Sequence, residues 1–363
     1  MTGRFFLLLL LLAVVLFHAG IGVEASLDYS IVGYSPEDLD SEEQLFNLFE
    51  SWLHKHEKSY ESVLEMHHRF TIFKDNLRYI NSHIVQHKTS HWLGLNNLAD
   101  LTHEEFKARY FGILPPGVKR LRRTENFMYA NVHAPASLDW RAKGAVTPVK
   151  DQGNCGIGSV EGINAIKTGH LISLSEQQLV DCDDNDGVAM VGSWITHSVT
   201  SWKTVGLTQK LTIHTRAQMT PIVVSINSYQ GIPMNNETVL LQAASNQSIS
   251  VSIEASGRDF QLYAGGVFTG SCGRDLDHGV LAVGYAASSG LEYWIIKNSW
   301  GTGWGQKGYI FMERLGAKNL NGICGINMDP SYPIKTGPNP HSDAYALPSR
   351  LAGHQEASSW AFF

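Results

Sequence analysis

The feature that most constrains this chain is a series of alternating segments punctuated by glycine, running from Ser248 to Arg314. "SISVSIEA", "GVLAVGYA", "EYWIIKNSW" and "GYIFMER" each put an apolar side chain at about every second residue, the period of a strand. Turn signals such as "GTGWGQKG" separate them. The fold beyond Ser248 is therefore built on a sheet.

The N-terminal part has a different period. "SEEQLFNLFESWLHKH" sets Leu45, Phe46, Phe49 and Leu53 on one helical face, with Ser41 and nearby Glu43 at its start. A second helix is predicted through "EMHHRFTIFKDNLRYINSHI". Near residue 115 the character changes: "LPPGVKRLRR" is Pro/Gly-rich and then basic, an exposed linker open to proteolysis. Beyond it, helical signal is confined to about Val160 to Leu171 and the "LSEQQLVD" turn. There are no internal repeats, and Pro338 to Phe363 read as an irregular tail.

The 363 residues suffice for one large domain or two modest ones, and 43% hydrophobic with 17% charged residues is ordinary for a globular protein. A net charge of -6 gives no reason to expect nucleic acid or an anionic membrane as partner. Arg4 precedes an apolar run, Phe5 to Phe17, shorter than the roughly 18 residues that span a bilayer. It suits a signal peptide ending at "VEA", which assigns 1–25 to that role and the chain to the secretory pathway. Four cysteines follow, Cys155, Cys182, Cys272 and Cys324, and an oxidising lumen would join them in one of three pairings. Sequons occur at Asn236 and Asn246. No metal and no cofactor is expected.

Longer motifs carry a resemblance. "DWRAKGAVTPVKDQGNCG", "LDHGVLAVGY" and "YWIIKNSWGTGWGQKGYIFMER" resemble the papain-like cysteine proteases, particularly the plant vacuolar and secreted branch. The likeness runs from about Leu45 to Gly337 and includes an inhibitory prosegment. Glu65, Arg69, Phe73, Asn76 and Ile80 match its ERFNIN helix, with Ile84 where the last Asn is expected. Gly94, Asn96 and Asp100 match its second motif, with Leu98 in place of Phe.

The resemblance implies an α+β, papain-like fold of two subdomains: a helical left one and an antiparallel β-barrel on the right, preceded by a helical prosegment. It divides the chain into a signal peptide (1–25), a propeptide (26–133) with an inhibitor prodomain at about 45–103, a peptidase domain (134–337) and a tail (338–363). It implies a monomer acting on proteins or peptides, held by its own prosegment, in a vacuole- or lysosome-like compartment or outside the cell.

The chemistry explains the residue types. An imidazole beside a thiol lowers the thiol's pKa to about 3–4, and the resulting pair attacks a peptide carbonyl. The imidazolium then protonates the leaving amine, while amide donors hold the oxyanion. By resemblance His278 is the base and acid, Asn298 orients it, Trp300 shields their bond, and Gln152 is the oxyanion donor. Ser252, Asp277 and Gly279 line the right wall of the cleft, and Cys272 pairs with Cys324.

Two departures stand against this. Family members read "CGSCWAFSAVGAIEGI" where this chain reads "CGIGSVEGI", as if seven residues equivalent to "SCWAFSA" were absent. The missing residues amount to roughly 10 Å of helix and include the nucleophilic cysteine. Gly158 stands where that cysteine is expected and has no side chain. Ser159 cannot form a thiolate–imidazolium pair, and Cys155 matches a structural half-cystine three residues too early. The second departure is 188–222, which matches nothing in the family. Back-translated and shifted by one base, Gly187 to Ser198 can give "GCNGGFMDYAF" and Thr204 to Thr215 "GGIDSEADYPY", both family-like. Three readings follow. One is an endopeptidase whose gene encodes the missing residues, another an inactive relic. The last is a non-catalytic pseudoprotease or prosegment-based inhibitor of related proteases.

Overall fold

The computed structural model describes residues 31–86, 90–111, 127–151, 157–174, 207–208 and 222–339. The expected signal peptide (1–25), Gln152, Cys155, Cys182, nearly all of 188–222 and most of the tail lie outside them.

The N-terminal helices form where their period places them. Ser41 caps α1 (Glu42–Lys55), its hydroxyl accepting from Gln44 N–H. The buried face is Leu48, Phe49 and Trp52; Leu45, Phe46 and Leu53 sit at its margin. α2 (Val63–Gln86) adds Phe70, Phe73, Leu77 and Ile80 to this core. Full burial of such side chains is worth roughly 1.5–3 kcal/mol each. The polar motif residues tie helix to loop. Arg69 bridges Glu65 at 2.6 Å and Glu105 at 2.8 Å. The Asn76 amide donates to the carbonyls of Ala99 and Leu101. Asp100 accepts from Lys58 and Tyr60. Thr102 and Glu105 form a capping box at α3 (His103–Tyr110).

A short strand, β1 (His91–Leu93), lies between α2 and α3. Then come β2 (Leu138–Asp139), α4 (Gly158–Thr168), the paired β3 (Leu207–Thr208) and β4 (Ile222–Val224), and β5 (Ser228–Gly231). α5 (Glu237–Ala244), β6 (Ile249–Ile253), α6 (Arg258–Gln261) and β7 (Tyr263–Phe268) follow. β8 (His278–Ser288), β9 (Leu291–Lys297), β10 (Tyr309–Glu313) and β11 (Ser331–Ile334) complete the order. The main sheet runs β1-β7-β10-β9-β8-β6-β11-β5, with β2 on β8.

The helical prosegment, the α+β class and the right-hand sheet thus agree with the sequence reading, with two corrections. The sheet is not wholly antiparallel: β10 runs parallel to β7, because the connection after β7 brings β8 in along β7's direction and the antiparallel β8–β9 and β9–β10 pairs then return β10 to it. Helix is also not confined to the region before residue 180. Asn236 caps α5 through its side chain, and Leu240, Ala243 and Ala244 bury its inner face.

The N-terminal region is part of the fold, not an appendage. β1 pairs antiparallel with β7, and Val267 N–H donates to the Ser90 carbonyl at 2.9 Å. Gly266 allows this approach: its φ is +80°, and an added Cβ would lie 2.2 Å from the Ser90 oxygen. Leu98, Leu101, Phe106 and Tyr110 share one core with Phe260, Trp300 and Trp304. Cys272 and Cys324 are disulfide-bonded, Cα to Cα 5.1 Å, as the resemblance implies.

Candidate active site

β8 opens with His278, and Asn298 follows the last residue of β9. Antiparallel pairing of these strands brings imidazole and amide together, Nε2 to Oδ1 at 2.7 Å. The same Oδ1 accepts from Ser299 N–H at 2.8 Å. Two donors on one oxygen fix the amide's orientation and therefore the tautomer: Nε2 carries the proton and donates. Nδ1 is then the ring nitrogen without a hydrogen, the one that can accept a proton.

Aromatic rings enclose the pair. Trp300 stacks on His278, centroids 4.8 Å apart at 29°. Phe111 meets the imidazole edge-on at 5.7 Å, and Phe106 and Tyr110 lie 5.3 Å from Trp300. His278 and Trp300 are wholly buried. Burial pushes the His278 imidazole down to about 4, against the opposing effect of the bond to Asn298. This environment keeps the ring neutral at mildly acidic pH.

The other expected residues fall into place unevenly. Strand register sets Ser252 opposite Gly279, beside the Ile253–His278 pair. Asp277 precedes His278, but its carboxylate accepts from Ala255 N–H at 2.8 Å, and burial raises its pKa. Gln152 lies outside the described residues. Its neighbour Asp151 forms a bridge with Trp300, and Gly301 N–H donates to the Lys150 carbonyl at 3.1 Å.

At the start of α4 there is no reacting group among the described residues. Gly158 lies against Leu281, where an added Cβ would come within 2.6 Å of Cδ2. The Ser159 hydroxyl is buried and bonded to that of Ser250 at 2.8 Å. One supporting network is not evident from sequence. Glu161, buried on α4, pairs with Lys150 at 2.9 Å and accepts from Thr147 at 2.6 Å. Lys297 in turn donates to Thr147 at 2.9 Å, which anchors the residue before Asn298. The packing of Phe111 on His278 also escapes sequence reasoning, because the path of the chain beyond α3 creates it.

Residues 134–334 match the papain family cysteine protease model, and residues 49–106 the cathepsin propeptide inhibitor domain. Cysteine protease XCP2 of Arabidopsis thaliana is 47% identical over 331 residues, covering 86% of this chain and 92% of that protein. Chymopapain of Carica papaya is 45% identical over 335 residues, covering 88% and 94%. Among solved structures, the proform of the ragweed pollen cysteine protease Amb a 11 superposes with a TM-score of 0.73 at 33% identity, covering 85% of this chain and 98% of that one.

Proposed function

The chain belongs to the papain family of cysteine proteases and carries that family's inhibitory propeptide, and on that premise we propose that it is a zymogen-type protein with an assembled base and no nucleophile. It would enter the secretory route, act as a monomer in a vacuole-like compartment or outside the cell, and recognise peptides along the wall formed by Ser252, Asp277 and Gly279. The observation that carries the reading is the start of α4: Gly158 against Leu281, and Ser159 turned to Ser250.

In the complete reaction a thiol would give its proton to Nδ1 of His278. Asn298 would hold the ring through Nε2–H, and Trp300 would keep water from that bond. The Gln152 amide would stabilise the oxyanion. With a thiolate beside it the imidazolium is favoured; without one, burial leaves the ring neutral. The present chain therefore binds but does not cleave. A version with seven residues equivalent to "SCWAFSA" after Gly156 and a restored "GCNGG" segment would be an endopeptidase.

The test is peptide hydrolysis by both versions after propeptide removal at about pH 4–7, where the thiolate–imidazolium pair exists. Turnover only in the restored version is expected; equal turnover in both would end the proposal.

A second reading is favoured by the completeness of the propeptide docking. The Asn96 amide donates to the Gln261 carbonyl at 2.8 Å, and Arg258 meets Asp75 and Asn76. A propeptide so well matched to a papain-type surface would inhibit active relatives in trans. Adding the isolated propeptide to such a protease should lower its turnover; no inhibition at excess would remove this reading.

A further inference from the structure

Away from the cleft, two histidines and an aspartate converge where the propeptide meets the protease domain. His83 lies in the last turn of α2, His91 opens β1, and Asp259 belongs to α6 of the protease domain. One ligand atom from each lies within 4.8 Å of the other two. Both imidazoles are more than nine-tenths buried, His83 at 8% and His91 at 3% exposure. Their rings are 5.4 Å apart, and His91 is held against Phe268 at 4.8 Å.

We propose that His83, His91 and Asp259 form a binding site for a divalent transition-metal ion of the zinc class, which fastens the propeptide to the protease domain. Two imidazoles and a carboxylate are the donor set of three-ligand zinc sites, with water completing the tetrahedron. The carboxylate is already oriented, since Tyr79 donates its hydroxyl to Asp259 Oδ1 at 2.6 Å. Such a bond to a ligand's own partner is what fixes metal-binding side chains. The neighbouring cation is otherwise engaged: Arg258 reaches Asp75 and Asn76 and lies over the Tyr79 ring at 4.3 Å.

Zinc bonds of about 2.0–2.1 Å would draw the ligand atoms to roughly 3.4 Å from one another, so from separations within 4.8 Å the groups must close by up to about 1.4 Å. Thr269 N–H approaches His91 Nδ1 at 3.4 Å, a long contact that ligation through Nε2 would give up, because the ring proton then moves to Nδ1. The site exists only while the propeptide is docked, because two ligands come from one side of the interface and the third from the other. The ion adds its binding energy to docking. None of this depends on whether the cleft holds a nucleophile.

The test uses the metal-stripped full-length proform, titrated with Zn2+ at neutral pH by calorimetry and probed with Co2+ by absorption spectroscopy. One equivalent should bind, with a tetrahedral cobalt spectrum and a raised unfolding temperature. His83→Ala and Asp259→Asn should abolish that equivalent, and Tyr79→Phe, which keeps all three ligands, should weaken it by about tenfold or more. If a ligand variant fails to fold, Tyr79→Phe and the cobalt spectrum of the unaltered chain decide. No saturable binding, an octahedral spectrum, or affinity unchanged in Tyr79→Phe and in either folded ligand variant would overturn the proposal.

Discussion

Acidification should destabilise the folded chain through His278 by an amount that the structure sets. The ring is wholly buried, and its folded-state pKa falls from 6.5 to about 4, chiefly by desolvation. The unfolded chain, with the ordinary value, takes up the proton first as pH falls. The neutral ring's contribution is therefore full above about pH 6.5 and is lost as pH drops toward 4. Linkage puts the loss at about 2 kcal/mol by about pH 5 and about 3 kcal/mol by about pH 4. Against a total stability of roughly 5–15 kcal/mol this is a large share. The assay is urea unfolding of the full chain and of His278→Gln at three pH values. His56 and His103 are also shifted down by burial, so the difference between the two proteins isolates His278. The variant should lose less stability on acidification, by about 3 kcal/mol between about pH 7 and pH 4. Parallel stability curves would refute the reasoning, because they would mean the ring is already protonated or exposed in the folded state.

Other outcomes follow from the packing. Reducing the Cys272–Cys324 bond, which closes a separation of 52 residues, should cost about 4 kcal/mol by the loop-closure relation, read as a shift of the urea midpoint. Trp300→Ala, which empties the stack on His278, should cost about 3–5 kcal/mol and open the site to solvent, read from calorimetric unfolding and quenching of the remaining indoles. Gly266→Ala forces a Cβ to within 2.2 Å of the Ser90 oxygen at a φ of +80°. It should lift β1 from β7 and speed amide exchange at Val267; unchanged exchange there would show that the pairing tolerates a side chain.

Much of the fold was legible where residue type and period agree. α1 and α2 follow from their helical spacing, although the buried face of α1 turns on Trp52, which the simple stripe through Leu45 and Leu53 leaves out. α5 carried an Asn cap and apolar residues at helical spacing, signals overshadowed by the strand-rich text around it. β11 was hidden by Pro333, which lacks a donor and yet pairs with Tyr229. In the site, His278, Asn298 and Trp300 were legible through their motifs, and the strands bring them together. The Glu161–Lys150–Thr147–Lys297 network and the His83–His91–Asp259 group were not, because their members lie on separate elements and no local pattern joins them.

The most direct measurement is peptide hydrolysis by the purified, propeptide-free chain at mildly acidic pH, with and without a thiol-directed epoxide. The expected result is no epoxide-sensitive turnover, because α4 begins with Gly158 against Leu281 and the Ser159 hydroxyl is bound to Ser250. Turnover that the epoxide blocks and His278→Ala abolishes would contradict it, and would mean that a cysteine of the present chain reaches the imidazole.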